Sequence, residues 1–227
     1  MLSEAFPKFR SVEVVSRYWE DLKALQRIAS DQMRPLKNVV PSCPSDDAPE
    51  LLVNEHWWWR GPSQARIEET MVQTHGTVPT LIIRDGSRRW SQHAGDAPIT
   101  NDPEWSHLFN ARLAPFGGGT SEEVDEWLFL GWATLKAFLA WQEAGRIRIL
   151  SRAGVVYDAL AVPDHHLYTH DLQPWFPGAD RYTVVVEERY GVVLKSMAWC
   201  GERMVSAWEV TSVVFNPQLP ATLFTPP

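Results

Sequence analysis

Short runs of apolar residues, each bounded by turn-forming residues, predict that most of this chain is β-strand. In chain order the predicted strands cover residues 51–60, 66–74, 80–84, 88–93, 146–152, 155–162, 182–188, 192–199 and 204–215. Asp85-Gly86 separates two of these runs and is a β-hairpin signal. The last three runs are joined by short turns, which predicts an antiparallel meander.

Two other segments repeat apolar residues at helical spacing. The first covers residues from about 12 to 34 and is followed by Pro35, which cannot continue a helix. The second covers residues from about 121 to 142, and Thr120 with Glu123 supplies a capping box at its start. We therefore predict an amphipathic helix at each place, the second one with an unusually apolar face.

The densest aromatic feature is the run Trp57-Trp58-Trp59, in a chain that holds 12 tryptophans among 227 residues. Successive side chains of a strand point to opposite faces, so Trp57 and Trp59 are predicted to face one way. His56, Trp58 and Arg60 are predicted to face the other way. A sheet with one wet face does not normally place an indole there. Either both faces are covered, or one of them lines an apolar cavity.

Composition excludes several classes of partner. The net charge of −7 argues against binding to nucleic acid or docking on anionic membranes, because both need clustered Lys and Arg. No apolar run is long enough to insert into a bilayer, and no secretory signal is visible, so we expect a cytoplasmic protein. Cys43 and Cys200 have no spacing typical of a disulfide framework or metal knuckle.

Three groups of residues together resemble the LolA/LolB lipoprotein-carrier family. The aromatic strand that ends at Trp59-Arg60-Gly61-Pro62 resembles that family's strand ending in Arg-Pro, with a Gly inserted. The segment Arg84-Asp85-Gly86 leading to Trp90 resembles the family's hairpin. Leu223-Phe224-Thr225-Pro226-Pro227 resembles its closing Phe-Thr-Pro-Pro.

The resemblance implies an α+β fold: a curved, antiparallel, half-open β-barrel with helices plugging the open side and a hydrophobic cavity between. Residues 1–227 would form a single LolA-like domain with an N-terminal helix (about 12–34) and a lid helix (about 121–142). The family's arginine at the position of Arg60 ties the barrel to its lid, so Arg60 is the expected latch. Lipoprotein transport does not follow, because no export signal or lipid-attachment cysteine is visible.

The leading functional hypothesis is binding of an apolar or amphiphilic small molecule, or a lipid-like ligand, without cofactor or metal. The residues predicted to contact it are Trp57, Trp59, Arg60, Trp90, Trp127 and Trp132. The alternative for the tryptophans is that they fill a core. The oligomeric state is left open, and a protein-interaction module that uses the aromatic face is a third interpretation.

An enzyme built on the same cavity is the alternative function. It would be a cofactor-independent cyclase or isomerase acting on a hydrophobic metabolite, with His166, His170 and Asp171 as the candidate catalytic residues. These residues lie in the densest ionisable cluster of the chain. His166 and His170 could share one face of a helix, but the His-Glu-x-x-His pattern is absent, so no metal site is predicted.

Overall fold

A computed structural model of the protein describes residues 9–24, 50–60, 64–73, 76–85, 88–93, 96–100, 140–160 and 179–227. These ranges contain one eleven-stranded sheet and a 3₁₀ helix. The strands are β1 (Ser11–Asp21), β2 (Glu50–Arg60), β3 (Gln64–Gln73), β4 (Gly76–Asp85), β5 (Arg88–His93), β6 (Ile99–Thr100), β7 (Gln142–Ile149), β8 (Arg152–Leu160), β9 (Arg181–Glu187), β10 (Val193–Cys200) and β11 (Arg203–Phe215). The 3₁₀ helix, Ala221–Phe224, follows β11.

The sheet consists of two antiparallel meanders joined by β1. The strand order is β6-β5-β4-β3-β2-β1-β11-β10-β9-β8-β7, so β2 to β6 form one meander and β7 to β11 the other. β1 pairs with β2 on one side and with β11 on the other, both antiparallel. Among the described residues, the outer edges of β6 and β7 pair with no other strand.

The predicted α+β class with helices plugging a half-open barrel is wrong for the part of the chain that is described. That part is almost entirely one open antiparallel sheet, and its helical residues are 22–24 and the 3₁₀ helix. The predicted lid helix, about 121–142, falls almost wholly outside the described residues. Its last residue, Gln142, is the first residue of β7.

The predicted helix from about residue 12 is also wrong up to residue 21, because residues 11–21 form β1. Val15, Trp19 and Leu22 fit helical spacing, but Val12 and Val14 fit alternation equally well. β-Branched and aromatic residues pack well on a pleated surface, and β1 has a hydrogen-bonded neighbour on each side. The hydrogen bonds to the two neighbouring strands therefore decide that this segment forms a strand rather than a helix. Residues 25–34 lie outside the described ranges.

The strand predictions agree closely with the structure for β2, β3, β5 and the last three strands. The predicted strands 146–152 and 155–162 imply a turn at residues 153–154, but Gly154 lies inside β8 and the chain reverses at Leu150 and Ser151. Both residues have positive φ, 51° and 61°, which is the backbone of the tight hairpin turns that favour Asn or Gly. Because Leu and Ser seldom adopt positive φ, the composition of the sequence did not mark this turn.

The hydrophobic core lies on one face of the sheet and draws on both meanders. Its main cluster contains Phe9, Val12, Val14, Trp57, Trp59, Ala65, Ile67, Val184, Val186, Val192, Val193, Leu194, Trp208 and Val210. A smaller cluster around Tyr182, Ala198 and Val205 adjoins it, and Trp141 packs against both. The two meanders are therefore held together by side chains as well as by the pairing of β1 with β11.

Candidate functional site

The tryptophan run divides between the two faces of the sheet, as its alternation predicts. Trp57 and Trp59 are only 3% and 5% exposed and belong to the main core cluster. Directly paired residues of neighbouring strands share a face, so Val14 and Ile67 lie beside Trp57. On strands β1–β5 and β11, we call the face that carries Trp57 and Trp59 the core face. The opposite face, which carries Trp58, is the outer face.

A line of polar residues crosses the core face from strand to strand. Its members are directly paired in register, each with the next, and we call them the polar row: Ser16, Glu55, Glu69, Thr80 and His93. Val210 of β11 continues the line beyond Ser16. Ser16, Glu55, Glu69 and Thr80 are all buried. Two carboxyl groups on adjacent strands therefore lie side by side on a mostly apolar surface.

Glu55 is the centre of the polar row. Its Oε2 accepts hydrogen bonds from Ser16 Oγ at 2.7 Å and from Trp208 Nε1 at 3.1 Å. Burial first and the charge of Glu69 second raise the pKa of Glu55 to about 7, against the opposing effect of its hydrogen bonds. At neutral pH, Glu55 is consequently protonated in part of the molecules and ionised in the rest, whereas an ordinary glutamate is ionised.

A second acidic group lies further along β1 on the core face. Burial raises the pKa of Glu20 to about 7, and a hydrogen bond with the Tyr18 side chain lowers it in part. Burial, followed by the charge of Glu20, raises the pKa of Tyr18 well above its usual value. Tyr18 precedes Glu20 by two residues and thus lies on the same face, between Glu20 and the polar row.

The far end of the polar row is a hydrogen-bonded pair. Thr80 Oγ1 and His93 Nδ1 are 2.8 Å apart, across the β4–β5 pairing. Ser91 is also buried and lies on the same face, two residues before His93 along β5. The polar character of the core face thus continues across five strands, from β1 to β5.

Residues 217–227 pack on part of the outer face, against β2 and β3. Arg60 Nη1 donates to the carbonyl of Leu219 at 2.8 Å, and the Arg60 guanidinium lies 4.8 Å from the centre of the Phe224 ring. Arg66 Nη1 donates to the carbonyl of Leu223 at 3.1 Å. Phe224 is only 1% exposed. The segment is therefore held by two arginines that bind its backbone and by one buried aromatic ring.

Trp58, the middle tryptophan, belongs to this outer face. Its indole Nε1 donates to Glu13 Oε1 at 3.2 Å, and its ring stacks on His56 at 3.7 Å. The Arg66 guanidinium lies 5.9 Å from its centre. Polar partners thus surround Trp58, in contrast to the apolar neighbours of Trp57.

The predicted ligand-contacting residues do not all lie together. Trp57 and Trp59 lie on the core face, whereas Trp90 lies on the outer face, since it pairs with Ile83 and Ile83 pairs with Arg66. Arg60 also lies on the outer face. Its described contacts are with the 217–227 segment and with Gln64 rather than with a lid helix. Trp127 and Trp132 lie outside the described residues.

The candidate catalytic residues His166, His170 and Asp171 also lie outside the described residues, so the enzyme alternative stays a prediction. Within the described ranges, no group of three or more His, Cys, Asp or Glu side chains is placed to hold a metal ion. The same part of the chain contains no helix with the length and apolar character needed to cross a bilayer.

Sequence reasoning missed the polar row. A signal was present: Glu55 falls between Val53 and Trp57 in the alternation, and Ser16 falls between Val14 and Tyr18. A carboxylate at an inward strand position is rare enough to mark a candidate site. That Glu55 and Glu69 are neighbours depends on the register of β2 and β3, which spacing within one strand does not reveal.

No protein-family model matches the chain, and no curated protein matches it significantly. Solved structures do match. The complex of MucA and MucB from Pseudomonas aeruginosa aligns with 100% of this chain and 58% of the matched chain, at 11% identity and a TM-score of 0.50. A structure of MucB aligns with 100% of this chain and 60% of the matched chain, at 14% identity and a TM-score of 0.52. The chain thus spans less than two thirds of either matched chain.

The likeness to MucB shows a common fold. The matched structures also include the LolA superfamily protein NE2245 from Nitrosomonas europaea, which aligns with 96% of this chain and 91% of its own, at 10% identity and a TM-score of 0.34.

Proposed function

We propose that this protein binds hydrophobic or amphiphilic molecules on the core face of its sheet. The observation that carries the proposal is that the indoles of Trp57 and Trp208 meet the carboxyl group of Glu55, on the face that also carries Trp59. Large aromatic side chains supply apolar contact area, and at about 25 cal/mol per Å² even a modest ligand gains useful affinity from such a surface.

The polar row distinguishes this face from a core that serves stability alone. A buried carboxyl group costs free energy unless it is hydrogen-bonded or neutralised, and replacement by an apolar residue would avoid that cost. Instead the chain places Glu55 and Glu69 next to each other among buried tryptophans. Perturbed acids in an apolar setting are typical of sites that bind or react.

Two further findings support the proposal. The sequence motifs around Arg60, Trp90 and Phe224 resemble those of lipoprotein carriers, whose fold encloses a hydrophobic cavity. The fold shared with MucB is compatible with a binding role, since one of the MucB structures is a complex with MucA.

Displacement of a neutral hydrophobic dye, N-phenyl-1-naphthylamine, tests the proposal. We expect saturable binding to the folded protein and displacement by long-chain alcohols or fatty acids. Trp57→Leu should weaken dye binding several-fold, because it removes part of the aromatic surface while keeping the position apolar. Trp58→Phe, one residue away on the outer face, is the matched control and should leave binding unchanged. Absence of saturable binding to the folded wild-type protein would refute the proposal.

A further inference from the structure

The turn between β7 and β8 holds an apolar side chain in solvent, in a backbone conformation that leucine does not favour. Leu150 has a φ of 51° and is 36% exposed, and Ser151 after it has a φ of 61°. At positive φ the Cβ atom crowds neighbouring backbone atoms, so glycine and asparagine are the residues usually found there. A strained position of this kind is a reason to look for a function. The exposed side chain of Leu150 is therefore a candidate contact.

Ile147 extends the apolar surface from the turn along β7. It is 42% exposed, and it is paired with Gly154 of β8, which has no side chain to lie against it. Ile147 and Leu150 are three residues apart, about 10 Å along an extended chain. Ile149, between them, is partly buried against the main core cluster. The hairpin is thus anchored on the sheet, while its end holds apolar groups in solvent.

The same end of the hairpin carries positive charge. Residues 145–154 include no acidic residue and three arginines: Arg146, Arg148 and Arg152. Arg146 and Arg152 each lie near a glutamate of the neighbouring turn region, at 3.2 and 3.7 Å. Arg148 is exposed and donates to the carbonyl of Ser151 at 3.3 Å, and within the described ranges it forms no ion pair with a carboxylate. The net charge of −7 therefore does not describe this end of the molecule.

The turn after β9 adds another cation beside the hairpin. The backbone N–H of Glu188 donates to the carbonyl of Ala153 at 3.1 Å, which fixes this turn next to the start of β8. Arg189 follows Glu188, is exposed, and has its guanidinium 5.0 Å from the centre of the Tyr190 ring. Two exposed arginines, Arg148 and Arg189, thus lie on neighbouring turns at one end of the sheet.

We propose that this end of the β7–β8 hairpin docks on an anionic lipid membrane. Leu150 and Ile147 enter the boundary between headgroups and acyl chains, and Arg148 and Arg189 contact lipid phosphates. The docking is peripheral, and the backbone does not cross the bilayer. The inference makes no use of the core face, so it and the proposed function can fail separately.

The shape of the patch favours a membrane over a protein partner. A stable protein interface buries about 800 Å² on each side, with a packed apolar centre. Here the apolar groups are two side chains at a projecting hairpin end, too few for such a centre. A fluid lipid surface adapts to a projecting tip, and each arginine near an anionic leaflet adds attraction.

Cosedimentation with vesicles tests the inference on the full chain. Vesicles of equal parts phosphatidylglycerol and phosphatidylcholine should bind the protein at least about tenfold tighter than vesicles of phosphatidylcholine alone. Salt at about 1 M, where the Debye length is about 3 Å, should remove most of that preference. No binding to the anionic vesicles, or equal binding to both compositions, would overturn the inference and leave the exposed tip to a protein partner.

Leu150→Asn separates loss of binding from loss of folding. Asparagine tolerates positive φ better than leucine, so thermal unfolding of this variant should occur at the same temperature or higher. Its binding to anionic vesicles should nevertheless fall about fivefold or more, because the apolar contact is lost. Leu160→Asn is the matched control, since Leu160 is 72% exposed at the other end of β8, and it should bind like the wild type. Wild-type binding by Leu150→Asn would refute docking through the tip.

Arg148→Gln tests the electrostatic part of the contact. It should weaken binding to anionic vesicles about fivefold and leave binding to phosphatidylcholine unchanged. Arg17→Gln removes the same charge from an exposed position on the outer face of β1 and should change neither. If both variants weaken binding equally, the attraction comes from total charge and the hairpin is not the docking surface.

Discussion

The two faces of strands β2 and β3 make contacts of different chemistry. On the core face, Trp57 and Trp59 lie among valines and isoleucines, and the polar row with Glu55 and Glu69 crosses the same surface. On the outer face, arginines bind the carbonyls of residues 217–227 and lie over the rings of Trp58 and Phe224. One strand, β2, supplies residues to both.

The difference teaches that consecutive tryptophans in one strand have separate roles. On the outer face, Arg60 and Arg66 bind carbonyl oxygens of residues 217–227 and lie near aromatic rings, so these contacts hold that segment on the sheet. On the core face, burial raises the pKa of Glu55 to about 7, and among the described residues no acceptor lies within hydrogen-bond distance of Trp57 Nε1. We propose a structural role for the outer face and, in line with the proposed function, a binding role for the core face.

The largest expected change in stability follows from a substitution at Phe224. It tests whether residues 217–227 pack tightly on the outer face. Phe224→Ala should lower the free energy of unfolding by about 3–4 kcal/mol, since it removes a fully buried aromatic ring. Urea denaturation measures the change. Pro226→Ala, at an exposed position two residues on, should have almost no effect. A loss below about 1 kcal/mol would mean that the segment rests loosely on the sheet.

The next effect is on the core face and depends on pH. Burial raises the pKa of Glu55 to about 7 from 4.5, so the folded state holds a proton that the unfolded state releases in that window. The folded state therefore loses stability as pH rises from about 4.5 to about 7, and the loss is complete above that range.

Glu55→Gln removes this ionisation. The variant should match the wild-type protein near pH 4 and exceed it by about 3 kcal/mol at pH 8, the free-energy equivalent of the shift in pKa. Thermal unfolding across pH measures the difference. Glu202→Gln, in an exposed turn, should show no such pH dependence. Equal stability of wild type and Glu55→Gln at every pH would show that Glu55 is not destabilised by burial.

A smaller effect tests the arginine contacts that distinguish the outer face. Arg60→Lys keeps the charge but loses the planar guanidinium that binds both the Leu219 carbonyl and Gln64. We expect a loss of about 1 kcal/mol in the free energy of unfolding. Arg17→Lys is the matched control, because Arg17 is exposed on the outer face of β1. If both variants lose the same amount, the contacts of Arg60 contribute nothing specific.

The smallest effect concerns coupling within the polar row. Since the charge of Glu69 raises the pKa of Glu55, Glu69→Gln should lower that pKa below about 7. The carboxyl carbon shift of Glu55, followed by NMR through the titration, reports the change directly. Glu68→Gln should leave the titration of Glu55 where it is. An unchanged midpoint in Glu69→Gln would show that the two carboxyl groups do not interact.

Sequence patterns predicted what depends on local periodicity. The division of Trp57 and Trp59 from Trp58 follows from alternation and is confirmed, as are most strand positions. β1 was mistaken for a helix because Val15 and Trp19 fit both periods, and only the neighbouring strands decide between them. The contacts that define the candidate site join distant parts of the chain. Glu55 meets Trp208, and Arg60 meets Leu219, through pairings that no single segment encodes.

The pairing of β1 with β11 has a consequence for the order in which the protein is made. Ser11 and Pro217 are 206 positions apart in the chain, yet they are hydrogen-bonded neighbours. During synthesis, β1 leaves the ribosome long before β11 and must wait with one edge unpaired and Val12 and Val14 uncovered. Exposed strand edges of this kind favour pairing with other chains, and contacts between distant residues form slowly. The nascent protein is thus most vulnerable to aggregation until its last strand has been translated.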